Sequence, residues 1–136
     1  MNLYLLIAGI FLIFLSIVHA VFGELTVFQP IFQSNLNSLL KISVYVPWHQ
    51  LTLVLLLSGI SQVIAAFRQK QRTISTFILA IVVGNLIVFL GISIIESNWA
   101  VLENSIPQYV LFAIILVFMI LGIRKHRLEG KVAESR

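Results

Sequence analysis

The chain has 136 residues, 60% of them hydrophobic and 10% charged, with no cysteine and a formal net charge of +4. A soluble domain carries about 25% charged residues, and a chain this short cannot hide so much apolar surface in one aqueous core. Composition thus excludes a soluble globular domain, and the missing cysteine excludes disulfides, thiolate metal sites and cysteine nucleophiles.

A membrane helix needs about 20 mostly apolar residues. Four segments qualify, residues 3–23, 48–67, 74–95 and 107–123. The first begins without Lys or Arg and runs longer than a signal-peptide core, so it reads as a retained helix. Along it Gly9, Ser16 and Gly23 recur every seven residues, with Ala20 beside them. Small residues mark the face on which membrane helices pack, and His19 falls in that sector. His19 and Glu24 lie about 140° apart on a continuous helix, so they converge only if the helix ends or bends at Gly23.

The connection 24–46 is rich in apolar residues, and Leu36, Leu39 and Leu40 have helical spacing. It reads either as an interfacial segment or as an ordered loop on the mouth of the bundle. The second span opens on Pro47-Trp48-His49-Gln50 and carries a small-residue stripe of Thr52, Gly59 and Ala66, with Ser58 and Gln62 alongside. A short connection, 68–73, leads to the third span, where Asn85 and Glu96 return to one face. After the connection 96–106, Pro107 follows the capping pair Asn104-Ser105 as a first-turn proline. The fourth span has no polar side chain from Val110 to Leu121, which predicts a helix facing lipid or another subunit.

Basic residues set the direction. Arg68, Lys70 and Arg72 sit between spans two and three, and Arg124, Lys125, Arg127, Lys131 and Arg136 follow span four. The connection between spans one and two holds only Lys41, and that between spans three and four holds none. Positive charge stays on the cytoplasmic side. The expectation is an all-α membrane protein: a four-transmembrane-helix up-down bundle forming a single membrane domain over 1–136, in the cell (inner) membrane, with N and C termini and the tail 124–136 cytoplasmic. The basic residues mark helix ends, not a nucleic-acid face, so no nucleic acid partner is expected. A 15.3 kDa bundle has little room for an internal pathway. Besides the lipid bilayer, a homo-oligomer or a larger membrane complex is the expected partner.

That direction brings His19, Glu24, His49 and Glu96, from three helices, to one outward level. Asn85 lies deeper, Trp48 and Trp99 sit on the same level as an aromatic belt, and Gln50 adjoins them. Imidazole and carboxylate suit a transition metal such as Zn or Fe, and also Mn or Cu(II). Two histidines on separate helices also suit haem, and a His/Glu relay suits protons. The bland alternative is a histidine–carboxylate hydrogen bond tying helix ends together. No H-E-x-x-H or E-x-x-H spacing is present, nor a G-x-S-x-G elbow or a phosphate-binding glycine loop. The sequence therefore points away from an enzyme. It points to a membrane protein binding a metal ion, cofactor or small polar ligand at this His/Glu cluster. The alternatives are an accessory subunit with no ligand of its own and a proton-coupled small-solute transporter.

At "HAVFGE" and "VPWHQLT" the chain resembles a group of small bacterial four-helix integral membrane proteins. These close the first helix on an H-S-x-x-G-E-like motif and open the second on a W-H pair. The matching residues are His19, Gly23, Glu24, Trp48 and His49, with Ala20 where serine is common, and the proline-led "IPQYVLF" fits their fourth helix. The resemblance implies the four-helix layout and marks those five positions; it supplies no substrate.

Overall fold

The computed structural model describes residues 1–68, 72–95 and 99–134. Among them the chain is all-helical, and four helices are long and apolar enough to cross a membrane. Helix α1 runs Leu3–Gln33, α2 Ser38–Phe67, α3 Arg72–Ile95, and α5 Ile106–Glu134, with a short α4, Trp99–Asn104, before it. Helix α1 packs on α2 and α5, and α3 packs on α2 and α5, so the four long helices close a ring. The end at which α1 begins is called here the terminal end, and the opposite one the hairpin end.

Two corrections concern the hairpin end. Gly23 caps the first α-helical stretch, Leu3–Phe22, but does not break α1: its backbone is right-handed helical, with φ −56° and ψ −49°. The helix instead passes into a π-helical stretch, Gly23–Phe28, and continues as α-helix over Gln29–Gln33. The stretch 24–46, read as a connection, is thus helical on both sides of the turn 34–37. The helix that holds the second span begins at Ser38, ahead of the expected start at Trp48, so Pro47 lies inside α2. Its missing N–H leaves one bond out of that helix. The turn is capped locally. Asn37 Oδ1 accepts from the Leu40 N–H at 2.9 Å, and the Lys41 ammonium donates to the carbonyls of Phe32 and Ser34, both at 2.8 Å. Those carbonyls have no intrahelical partner, so Lys41 satisfies groups that α1 leaves open. At about 1.5 Å per residue a 31-residue helix is about 46 Å long, against about 30 Å of hydrocarbon in a bilayer.

Beyond α3, the connection 96–106 contains α4, and the tail backbone stays helical to Glu134. Glu96, Lys70 and Arg136 lie outside the described residues. The fourth long helix, predicted as an outward-facing one, instead also lines the core. Phe112, Ile115 and Met119 are buried against Ala8, Leu12 and Leu15 of α1, Leu55 of α2, and Ile78 and Val82 of α3. Their spacing of three and four residues makes one helical face.

The closest approach is between α1 and α2. A Cβ built on Gly9 would lie 2.8 Å from the Gly59 carbonyl oxygen, and one built on Gly59 would lie 2.8 Å from the Ile13 backbone nitrogen. No side chain larger than hydrogen fits at that crossing. Gly122 of α5 is likewise covered by Leu5. Polar groups tie the terminal end. The Asn2 backbone N–H donates to the Ala66 carbonyl at 2.7 Å, and its side-chain amide donates to the Gly122 carbonyl at 2.8 Å. The Ser75 hydroxyl donates to Gln62 Oε1 at 2.9 Å, joining α3 to a fully buried amide of α2.

Outward faces are as apolar as the core. Phe77 is 66% exposed, Ile87 62% and Ile95 79%. Gly59→Ala should lower stability by about 1–3 kcal/mol through overpacking of the crossing. Gly84→Ala, where an added Cβ meets nothing within 4 Å, should leave it unchanged or slightly raised. Thermal melting followed by circular dichroism in detergent reads both.

Candidate functional site

Four of the residues singled out in the sequence meet near the hairpin end of α1 and α2. Consecutive residues of a helix point about 100° apart, so Trp48 and His49 of α2 face different sides of α1. Each takes one partner. The His19 ring stacks on the Trp48 indole with centroids 4.1 Å apart and planes 7° from parallel. The indole N–H donates to the His19 carbonyl at 3.1 Å. On the other side, His49 Nε2 lies 3.1 Å from Glu24 Oε1, and the Tyr45 hydroxyl donates to that same oxygen at 2.7 Å. His49 can donate to that oxygen when Nε2 is the protonated ring nitrogen. His19 and Glu24 therefore take different partners on α2.

Gly23 explains how α1 comes so close. It is buried beneath Trp48, and a Cβ there would run into the indole ring. The glycine is needed for space, not for its backbone angles. Just beyond it, the fully buried Phe28 forms the centre of an aromatic cluster. Its ring lies 4.8 Å from Tyr45, 5.5 Å from Trp48 and 5.9 Å from His49, edge-on to the first two. Such edge-to-face pairs add about 0.5–1.5 kcal/mol beyond the area they bury. Sequence reasoning passed over Phe28 and Tyr45, yet spacing held the signal. Tyr45 is four residues before His49, and Phe28 four after Glu24, so each shares a helix face with a residue already marked.

The arrangement has one open valence. His19 Nε2 is buried and has no hydrogen-bond partner. Buried polar atoms are overwhelmingly paired, and one left alone costs about 1–3 kcal/mol. The Tyr109 hydroxyl on α5 is in the same condition, beside Phe89 of α3 at 5.8 Å. Counting from the contact of Leu5 with Gly122, His19 stands 14 residues along α1 and Tyr109 13 residues back along α5. Both orphan atoms therefore lie on residues about 20 Å above that contact, in the hairpin half of the bundle.

The other predicted residues stand apart. Gln50 is exposed and borders a shallow outward groove of about 400 Å³ with Tyr45, Val46, His49 and Leu53. The Asn85 amide donates to the Ile81 carbonyl of its own helix at 2.9 Å. Trp99 is exposed, whereas Trp48 is half-buried and held in the cluster by stacking on His19. Glu96 is outside the described residues. Among those described, no group of three or more His, Cys, Asp or Glu side chains comes together.

Two substitutions separate the halves of the site. Glu24→Gln removes a charged acceptor from two hydrogen bonds and should cost about 1–3 kcal/mol of stability, read by thermal melting. Gly23→Ala should displace the indole. In a Trp99→Phe background, which leaves Trp48 as the single tryptophan, its emission should shift to longer wavelength. Comparison of the chain with protein-family models, curated proteins and solved structures finds no match.

Proposed function

We propose that this chain is an integral protein of a bacterial cell membrane, with both termini cytoplasmic, that binds a small polar ligand at its outward end through His19. One observation carries the ligand reading: an imidazole nitrogen buried without a partner, beside a histidine and a carboxylate that satisfy each other. Helix length and the apolar outward faces support membrane insertion. Basic residues support the direction, because the one lysine near the hairpin turn is engaged in capping α1 while Arg68, Arg72, Arg124 and Arg127 gather toward the other end.

In this reading Trp48 fixes the imidazole plane by stacking on it and by bonding to its backbone. Glu24, His49 and Tyr45 act as a brace that holds α1 against α2. The ligand completes the hydrogen bonding of His19 Nε2, either as donor or as acceptor according to which ring nitrogen carries the proton. Metal chemistry has less support. Glu24 Oε1 and His49 Nε2, at 3.1 Å, are spaced as two ligands of one ion would be, but zinc sites use three or four protein ligands and no third joins them among the described residues.

Native mass spectrometry of the protein released from its own membrane tests the proposal. The wild type should carry a small-molecule mass that His19→Phe, matched for helical content, does not. Identical spectra for the two, free of added mass, would overturn it. Zinc or iron retained stoichiometrically by wild type and lost in His49→Ala would replace the ligand reading with the metal one. A reporter fused to the C terminus should register in the cytoplasm; an external signal would reverse the direction.

A further inference from the structure

A second site lies at the opposite end of the molecule. Arg72, Thr73, Thr76, Phe77 and Ala80 line an open groove of about 490 Å³ along the outward face of α3. Its two ends differ in chemistry. At the mouth, Arg72 is exposed and makes no ion pair among the described residues, and the neighbouring Thr73 hydroxyl is exposed and donates to no described group. The Thr76 hydroxyl is already committed to the Arg72 carbonyl at 2.9 Å. Further along, the Phe77 ring stands 66% exposed beside Ala80, and beyond that an added Cβ on Gly84 would meet nothing within 4 Å.

The shape favours one class of occupant. A free anion would satisfy Arg72 and Thr73 and leave the apolar floor uncovered. A zwitterionic phospholipid would cover the floor and offer a phosphate, but it would also bring its own ammonium up to the guanidinium. An anionic phospholipid covers the floor and satisfies Arg72 and Thr73. From Arg72 to Ala80 the helix rises about 12 Å, close to the roughly 15 Å depth of one leaflet's hydrocarbon. No Asp or Glu lies between Glu24 and Glu96 in the chain, so α2 and α3 up to Ile95 bring no negative charge to the groove.

We propose that this groove binds one anionic phospholipid from the leaflet on the terminal side, with its phosphate on the Arg72 guanidinium and the Thr73 hydroxyl and an acyl chain along Phe77 and Ala80. The guanidinium is suited to this role because its planar fork can donate two parallel hydrogen bonds to a phosphate. The site is separate from His19 and does not depend on any ligand there; it rests only on the membrane reading, which reconstitution into vesicles checks directly.

The test is competition. Wild type in detergent is offered equimolar phosphatidylglycerol and phosphatidylcholine, and retained lipid is counted by native mass spectrometry. Wild type should keep one phosphatidylglycerol in preference. Arg72→Gln should weaken that retention about fivefold, the usual weight of one interfacial basic residue. Ala80→Leu, which fills the floor and leaves the charge, should weaken it as well, and Arg124→Gln should not. Equal retention of the two lipids by wild type would overturn the proposal. So would an equal loss in Arg72→Gln and Arg124→Gln, which would mean diffuse surface charge, or full retention in Ala80→Leu. Inorganic phosphate alone should not raise the melting temperature; a rise matching that from phosphatidylglycerol would reduce the site to an anion site and overturn the lipid assignment. If Arg72→Gln fails to fold, Thr73→Val keeps the charge, removes one headgroup donor and should show a smaller loss in the same assay.

Discussion

Everything at the hairpin end depends on a backbone contact near the terminal end. Where α1 crosses α2, Gly9 and Gly59 place main chain against main chain, with no room for a Cβ on either side. Helices in an apolar solvent gain little from hiding apolar side chains from one another, so close backbone approach and hydrogen bonding must hold them. The crossing draws α1 and α2 together, and both then run on past it as long helices. Gly23 repeats the same device some 21 Å further along α1, counted at about 1.5 Å per residue. There the space is filled by an indole instead of a backbone.

This geometry decides which polar groups can meet. Trp48 fills the gap over Gly23 and stacks on His19, while His49 bonds Glu24. The carboxylate, phenol and second imidazole close on each other; the first imidazole keeps a nitrogen with nothing to bond. Two histidines from adjacent helices thus have different chemical standing. One is hydrogen-bonded to a carboxylate, and the other is stacked on an indole.

Much of this was legible in the sequence, and the misses share a cause. The four apolar helices follow from hydropathy alone, because an apolar run of that length has few other stable states. The packing face of α1 was legible too, since small residues at seven-residue spacing announce it, and Gly9, Ser16 and Gly23 are indeed buried. What escaped was the hairpin. Composition at 24–46 mixes Pro, Asn, Ser and Gln with apolar residues, a pattern that local propensity assigns to a loop. Tertiary contacts override it: Phe28 and Tyr45 pack together, and Lys41 takes the last carbonyls of α1. Gly23 was marked both as a small residue of the packing face and for its backbone freedom; the first reading holds, because its role is the absence of a side chain beneath Trp48. That distinction depends on what lies opposite, which only the folded chain shows.

Asn2 carries a consequence for how the protein is made. Its two partners on other helices are the carbonyls of Ala66, at the end of α2, and Gly122, 120 residues downstream. Its side-chain amide thus finds its bond only once α5 has packed against α1. The Ala66 bond can close as soon as α1 and α2 form their hairpin, whereas the Gly122 bond waits for α5. Docking of α5 is the event that completes the latch on the first turn of α1.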